Sequence, residues 1–213
     1  MTPEQIWDAM ELKLIAILRG LTPAEAPAIV KALLEAGFRA IEVPLNSPEP
    51  FESIRIAAQI SEEFGPCLVG AGTVLYPDDV ARVAEAGGNL VVSPDIEPGV
   101  VSAALEKGMA SFPGVFTATE AHRAVRLNAT GLKVVPASSL GPGGIKALMA
   151  TLPAGVSVCA VGGVGPEDFA GYRAAGVAGF GLGSSLYKPG KEAQAVRQDA
   201  LHCAQAFRAI FQA

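Results

Sequence analysis

The 213-residue chain is predicted to fold as a (β/α)8 barrel with an extra N-terminal helix, a single domain over residues 1–213. Three observations predict it. Short apolar runs alternate with amphipathic helical patterns eight times along the chain, and eight such units close into a barrel of parallel strands. The runs are continuously apolar, as expected of strands buried on both faces. The turn after the first run, Leu18-Arg19-Gly20-Leu21, is not the glycine-rich dinucleotide turn that an open doubly wound sheet carries there.

Each element follows in order. Thr2 caps an opening helix to Glu11, with Pro3 at its first helical position and Ile6 and Met10 on one face. The first strand covers Leu14–Leu18, and Thr22-Pro23-Ala24-Glu25 opens a helix as a capping box that Gly37 ends. The second covers Arg39–Pro44, with Ser47-Pro48 expected to cap a helix to about Glu63. The third covers Cys67–Val74, with a helix from Pro77 to Ala86. The fourth covers Asn89–Pro94, with a helix from Glu97 to Lys107 ended by Gly108. The fifth covers Met109–Gly114, and Thr117-Ala118-Thr119-Glu120 opens a helix to Leu127. The sixth covers Gly131–Pro136, with a helix from Gly143 to Thr151. The seventh covers Val156–Val161, with a helix from Pro166 to Ala175. The eighth covers Ala178–Leu182, and a final helix fills Lys191 to Phe211.

Composition narrows the function. A net charge of −5 without a basic cluster argues against a nucleic-acid partner. No apolar run approaches the ~20 residues of a membrane helix, and the N-terminus shows no signal pattern. The cysteines Cys67, Cys159 and Cys203 are odd in number and widely spaced, and read as reduced, buried hydrophobes of a cytoplasmic protein. The two histidines, His122 and His202, lie in helical patterns. No cluster has metal-ligand spacing, so neither a metal nor a cofactor is expected.

The informative residues interrupt apolar strands. Of seven lysines, only Lys133 lies inside an apolar strand, Leu132-Lys133-Val134. It admits two readings. A buried ammonium has a depressed pKa, and the free amine is a nucleophile for ketones. Alternatively, a strand-edge lysine buries its stem and keeps its head in water. Barrels place their chemistry at the carboxyl ends of the strands. Arg19, Glu42 and Thr73 stand at the ends of strands one, two and three, so an arginine, an acid and a lysine converge on one rim. Glu42 is the one acid embedded in an apolar strand and is the candidate proton shuttle. Arg19 offers a fork for a carboxylate or phosphate. Strands seven and eight end in Gly162-Gly163 and Gly183-Ser184. Paired turns of this kind suit a phosphate, because bare backbone approaches its oxygens closely.

Seven segments in order, among them Ile17-Leu18-Arg19-Gly20, Ile41-Glu42-Val43-Pro44, Gly70-Ala71-Gly72-Thr73, Leu132-Lys133 and Ala160-Val161-Gly162-Gly163, resemble the KDPG/KHG class I aldolases over nearly the whole chain. The resemblance implies cleavage of a phosphorylated 2-oxo-3-deoxy sugar acid to pyruvate and D-glyceraldehyde 3-phosphate through a Schiff base. It implies that Lys133 forms the imine and Glu42 moves the protons. Arg19 and Thr73 then bind the carboxylate end, and Gly162, Gly163, Gly183 and Ser184 bind the phosphate. It also implies a homotrimer. Val161, where gluconate-acting members tend to carry threonine, and the loop Leu45-Asn46-Ser47-Pro48 are similar to the galactonate-acting members. Val135 departs from the family, whose members usually carry phenylalanine there, so the wall of the pyruvyl pocket is expected to differ in shape. The alternatives are an enzyme for the gluconate epimer or for both, an isomerase acting without an imine, and a non-catalytic phosphosugar binder.

Overall fold

The computed structural model describes residues 1–212 as nine parallel strands ringed by helices. The strands are β1 (Leu14–Ile17), β2 (Ala40–Pro44), β3 (Leu68–Gly72), β4 (Leu90–Val92), β5 (Ala110–Phe112), β6 (Gly114–Val115), β7 (Leu132–Val134), β8 (Val158–Val161) and β9 (Gly179–Leu182). Their order is β5-β4-β3-β2-β1-β9-β8-β7-β6, so the two ends of the sheet are consecutive in the chain. The ninth strand comes from a cut in the expected fifth one. Proline has no N–H to give a strand ladder, and Pro113 divides that strand into β5, which pairs with β4, and β6, which pairs with β7. Hydrogen bonding nevertheless runs across the cut. Gly131, Lys133 and Val135 donate their N–H groups to the carbonyls of Ser111, Pro113 and Val115 at 3.3, 3.0 and 3.1 Å. The barrel closes through this seam as an eight-stranded (β/α)8 fold.

The helices are α1 (Pro3–Ala9), α2 (Ala26–Glu35), α3 (Pro50–Ser61), α4 (Pro77–Glu85), α5 (Pro98–Glu106), α6 (Ala118–Arg126), α7 (Ala137–Met149), α8 (Phe169–Ala174) and α9 (Ala193–Phe211). The expected capping boxes at Thr2 and Thr117 are present. Two starts differ from the sequence reading. Thr22 and Glu25 do exchange capping-box hydrogen bonds, but they close a turn ahead of α2. Ser47 caps nothing. Its hydroxyl accepts the Gly20 N–H at 2.9 Å, while α3 starts after Glu49, which adopts a left-handed φ of 41°. Helix α7 is two helical pieces joined across a kink at the non-helical Gly141 (φ 64°), and the piece after the kink is the helix expected from Gly143.

The apolar residues divide by strand phase. One set packs between strands and helices, with Leu14, Ile41, Phe169 and Phe180 fully buried. The other fills the barrel interior, with Ile15, Leu68, Leu90 and Phe112 in layers. Trp7 of α1 belongs to this inner set and stoppers the amino-terminal end. It is fully buried, meets Phe112 edge-on with ring centroids 4.8 Å apart, and donates its indole N–H to Ser157 Oγ at 2.9 Å. Lys13 holds α1 in place by donating to the carbonyls of Trp7 and Met10 at 2.6 and 3.3 Å, a cation where the helix dipole is negative. The open end of the barrel is therefore the carboxyl-terminal one. Among the described residues, no helix is long and apolar enough to cross a membrane.

Candidate active site

Inward-facing positions run Ile15, Ile17 on β1, Ala40, Glu42 on β2 and Cys159, Val161 on β8, each pair two residues apart. Register aligns Ile17 with Glu42, and Lys133 with Cys159. These two charged residues thus enter an otherwise apolar interior. Above it lies a cleft of about 490 Å³. Of the nine residues expected at the site, eight line this cleft. The ninth, Thr73, is reached through Arg19, whose guanidinium donates to the Thr73 hydroxyl at 3.4 Å.

Lys133 sits between Leu132 and Val134, which are buried on the helix side, so strand alternation turns the lysine inward. Burial lowers its pKa below the ordinary lysine value, the Arg19 charge pushes the same way, and Glu42 opposes both more strongly than Arg19 reinforces. Glu42 is 1% exposed. Burial raises its carboxyl pKa to about 7 against the downward pull of Lys133 and Arg19. Among the described residues its Oε2 has no hydrogen-bond partner, a costly arrangement that buried polar atoms normally avoid. An acid and an amine, each displaced toward its neutral form and facing one cavity, are suited to exchanging protons with a bound carbonyl compound.

The remaining walls are polar at one side and bare at the other. Arg19 donates to Asn46 Oδ1 at 2.6 Å as well as to Thr73. Thr73 adopts a left-handed φ of 56°, rare for a β-branched residue and costing on the order of 1–3 kcal/mol. That strain turns its hydroxyl toward Arg19. Opposite, Gly162 (φ 91°) and Gly163 (φ 68°) follow β8 in left-handed conformations. A Cβ on Gly163 would stand 2.4 Å from Ser138 Oγ. A Cβ on Gly183 would stand 4.0 Å from Ile17 Cβ, an ordinary contact, and Ser184 and Ser185 complete that edge. Val135 is half-buried and stands between this cleft and a neighbouring one of about 300 Å³ under Phe116.

Three contributors were not legible from residue type. Asn46 aims Arg19, and although it lies in a quoted motif, spacing alone gave it no task. Gly72 leaves room for the Glu42 carboxyl, since a Cβ there would lie 1.5 Å from Glu42 Oε2. Asp168 Oδ2 accepts the Gly165 N–H at 2.8 Å and fixes the loop beyond the glycine pair. Among the described residues, no group of three or more His, Cys, Asp or Glu side chains is arranged to hold a metal ion.

Comparison with known proteins points to one family. The family model for KDPG and KHG aldolase matches residues 7–200. A probable 2-dehydro-3-deoxy-6-phosphogalactonate aldolase of Rhizobium meliloti is 54% identical over 95% of this chain and 94% of its own length. The 2-dehydro-3-deoxy-6-phosphogalactonate aldolase of Escherichia coli is 47% identical, over 95% and 98%. A solved structure described as native KDPGal superposes with a TM-score of 0.92 at 46% identity, covering 95% of this chain and 98% of that one.

Proposed function

The chain belongs to the KDPG and KHG aldolase family, and on that premise we propose that it is a Schiff-base aldolase that reversibly cleaves 2-dehydro-3-deoxy-6-phospho-D-galactonate to pyruvate and D-glyceraldehyde 3-phosphate. The observation that carries the reading is the buried pair at the cleft floor, a lysine lowered and a glutamate raised in pKa by the same desolvation. The names of the two relatives, at 54% and 47% identity, support the galactonate epimer.

In this mechanism the neutral Lys133 amine attacks C2 of the 2-oxo acid. Glu42 passes the protons that carbinolamine formation and loss of water require. The protonated imine then accepts the electrons of the C3–C4 bond, the C4 hydroxyl loses its proton, and the aldehyde departs. Protonation of the enamine at C3 and hydrolysis release pyruvate. Arg19 and Thr73 hold the carboxylate end. Gly162, Gly163, Gly183 and Ser184 hold the phosphate through backbone N–H groups and a hydroxyl. Val161 faces the C4 hydroxyl. Neither metal nor cofactor takes part. The enzyme works as a cytoplasmic homotrimer in galactonate degradation.

The test is borohydride reduction with pyruvate, followed by peptide mass analysis, and turnover of both C4 epimers with and without chelator. The expected results are a covalent adduct on Lys133 and faster, chelator-insensitive cleavage of the galactonate epimer. Turnover with no trapped adduct overturns the imine mechanism, and equal rates on both epimers overturn the substrate assignment.

A further inference from the structure

The loop after β9 carries Gly183 and Ser184, and one side chain fastens it to the loop that carries Arg19. Glu25 stands in the turn before α2. Its Oε1 accepts the Gly190 N–H at 3.0 Å, although the two residues are 165 apart in sequence. Its Oε2 accepts from the Thr22 hydroxyl at 2.7 Å and the Thr22 N–H at 3.3 Å. Pro189 lies against Gly20, where a Cβ would come within 2.6 Å of Pro189 Cγ. Tyr187, from the same loop, is buried beside Glu25. Its phenol is pushed up to about 12, by burial first and then by the Glu25 charge. The Glu25 carboxyl is itself held below its ordinary value, chiefly by the Thr22 hydroxyl. All of this lies outside the cleft.

The two loops differ in what else holds them. Arg19 has its own anchors in Asn46 and Thr73, and Gly20 donates to Ser47 Oγ. The stretch from Gly183 to Glu192 contains no helix or strand. Its Gly183 carbonyl accepts from Leu186 and Tyr187 within the loop. Lys191 reaches the Leu186 carbonyl and Asp199 at its far end. Leu186 and Tyr187 root its first half in the core; toward the barrel mouth, among the described residues, its hydrogen bond is the one from Gly190 to Glu25.

We propose that Glu25 is a positioning residue that straps the phosphate-binding loop to the carboxylate-binding loop, and so sets the span between the two anionic ends of the substrate. This rests on the assignment of ends made under the proposed function. A six-carbon sugar acid phosphate must bridge both ends, whereas pyruvate touches only the Arg19 end. Loosening the strap therefore penalises phosphorylated ligands selectively.

The test is steady-state kinetics in the synthetic direction, with KM measured separately for pyruvate and for D-glyceraldehyde 3-phosphate, alongside borohydride trapping of pyruvate. For Glu25→Ala the KM for the aldehyde phosphate is expected to rise about tenfold, or ~1.4 kcal/mol, the scale of one to two hydrogen bonds. Pyruvate KM and trapping on Lys133 stay at wild-type values. Glu25→Gln keeps an oxygen for the Gly190 N–H and is expected to show a smaller rise. It also supplies the answer if the alanine variant fails to fold. An equal rise in both KM values, a fall in kcat alone, or unchanged kinetics in a folded variant overturns the strap. A wild-type enzyme that traps pyruvate and turns over, yet shows no such split on mutation, leaves the aldolase reading intact. A wild type that does neither overturns both.

Discussion

The Glu42 carboxyl lies flat on the bare backbone of Gly72, so close that a Cβ there would stand 1.5 Å from Oε2. The two residues occupy neighbouring strands, and Gly72 pairs with Pro44, two positions beyond Glu42. A glycine in a buried strand weakens it. Here it leaves room for the acid to reach along the strands toward the mouth of the barrel.

Gly72→Ala is therefore expected to push the carboxyl off its seat while leaving the barrel folded. Overpacking costs about 1–3 kcal/mol, and a displacement near 1 Å at a reacting group costs about 10²-fold in rate. Steady-state kcat together with a thermal melt checks this. Near-normal kcat in a folded variant removes Gly72 from the argument.

Glu42→Gln keeps the shape and removes the proton shuttle, with an expected loss of about 10²–10⁴-fold in kcat. In the wild type, the limb of kcat/KM reporting the carboxylate lies near pH 7, and the variant lacks it. Stability moves the other way. The folded pKa is raised, so the native state keeps a proton that the unfolded chain gives up. The group's contribution is fully present below the ordinary carboxylate value of 4.5 and is lost as pH rises through about 7. Glu42→Gln should therefore melt above the wild type at pH 8, with the difference shrinking as pH approaches 4.5. Melts across that range check the sign.

Val161→Thr adds a hydroxyl at the cleft wall with almost no change in volume. The ratio of kcat/KM for the gluconate epimer to that for the galactonate epimer is expected to rise about tenfold, the worth of one hydrogen bond to the C4 hydroxyl. An unchanged ratio means that Val161 does not face C4.

Trp7→Ala opens the amino-terminal end of the interior and leaves Ser157 without its donor. Losses of this kind run to about 3–5 kcal/mol, visible as a lower urea midpoint. The carboxyl-terminal cleft is at the other end of the barrel, so kcat measured well below the melting temperature should stay close to wild type.

Much of the fold was legible in the sequence, because eight apolar runs have few other ways to bury both faces. The exceptions have local causes. Pro113 cuts a strand whose composition reads as continuous, and Ser47 resembles a helix cap but satisfies the Gly20 N–H across the barrel mouth. In the site, Lys133 and Glu42 stood out because a charge inside an apolar strand is expensive and calls for a reason. Asn46, Gly72 and Glu25 did not. Asn46 and Glu25 matter through partners far away in sequence, and Gly72 matters through the space it leaves. Pattern and periodicity record neither.

Trp7 and the packed layers above it close the amino-terminal end, and the cleft over Lys133 opens at the other. In the proposed reaction both fragments of the sugar acid depart through the mouth by which it entered, and one of them is still tethered to Lys133 when the carbon–carbon bond parts. The aldehyde phosphate must leave first and water must follow it in before pyruvate is released. The order of product release then follows from the imine, and the first helix decides which end of the barrel both products use.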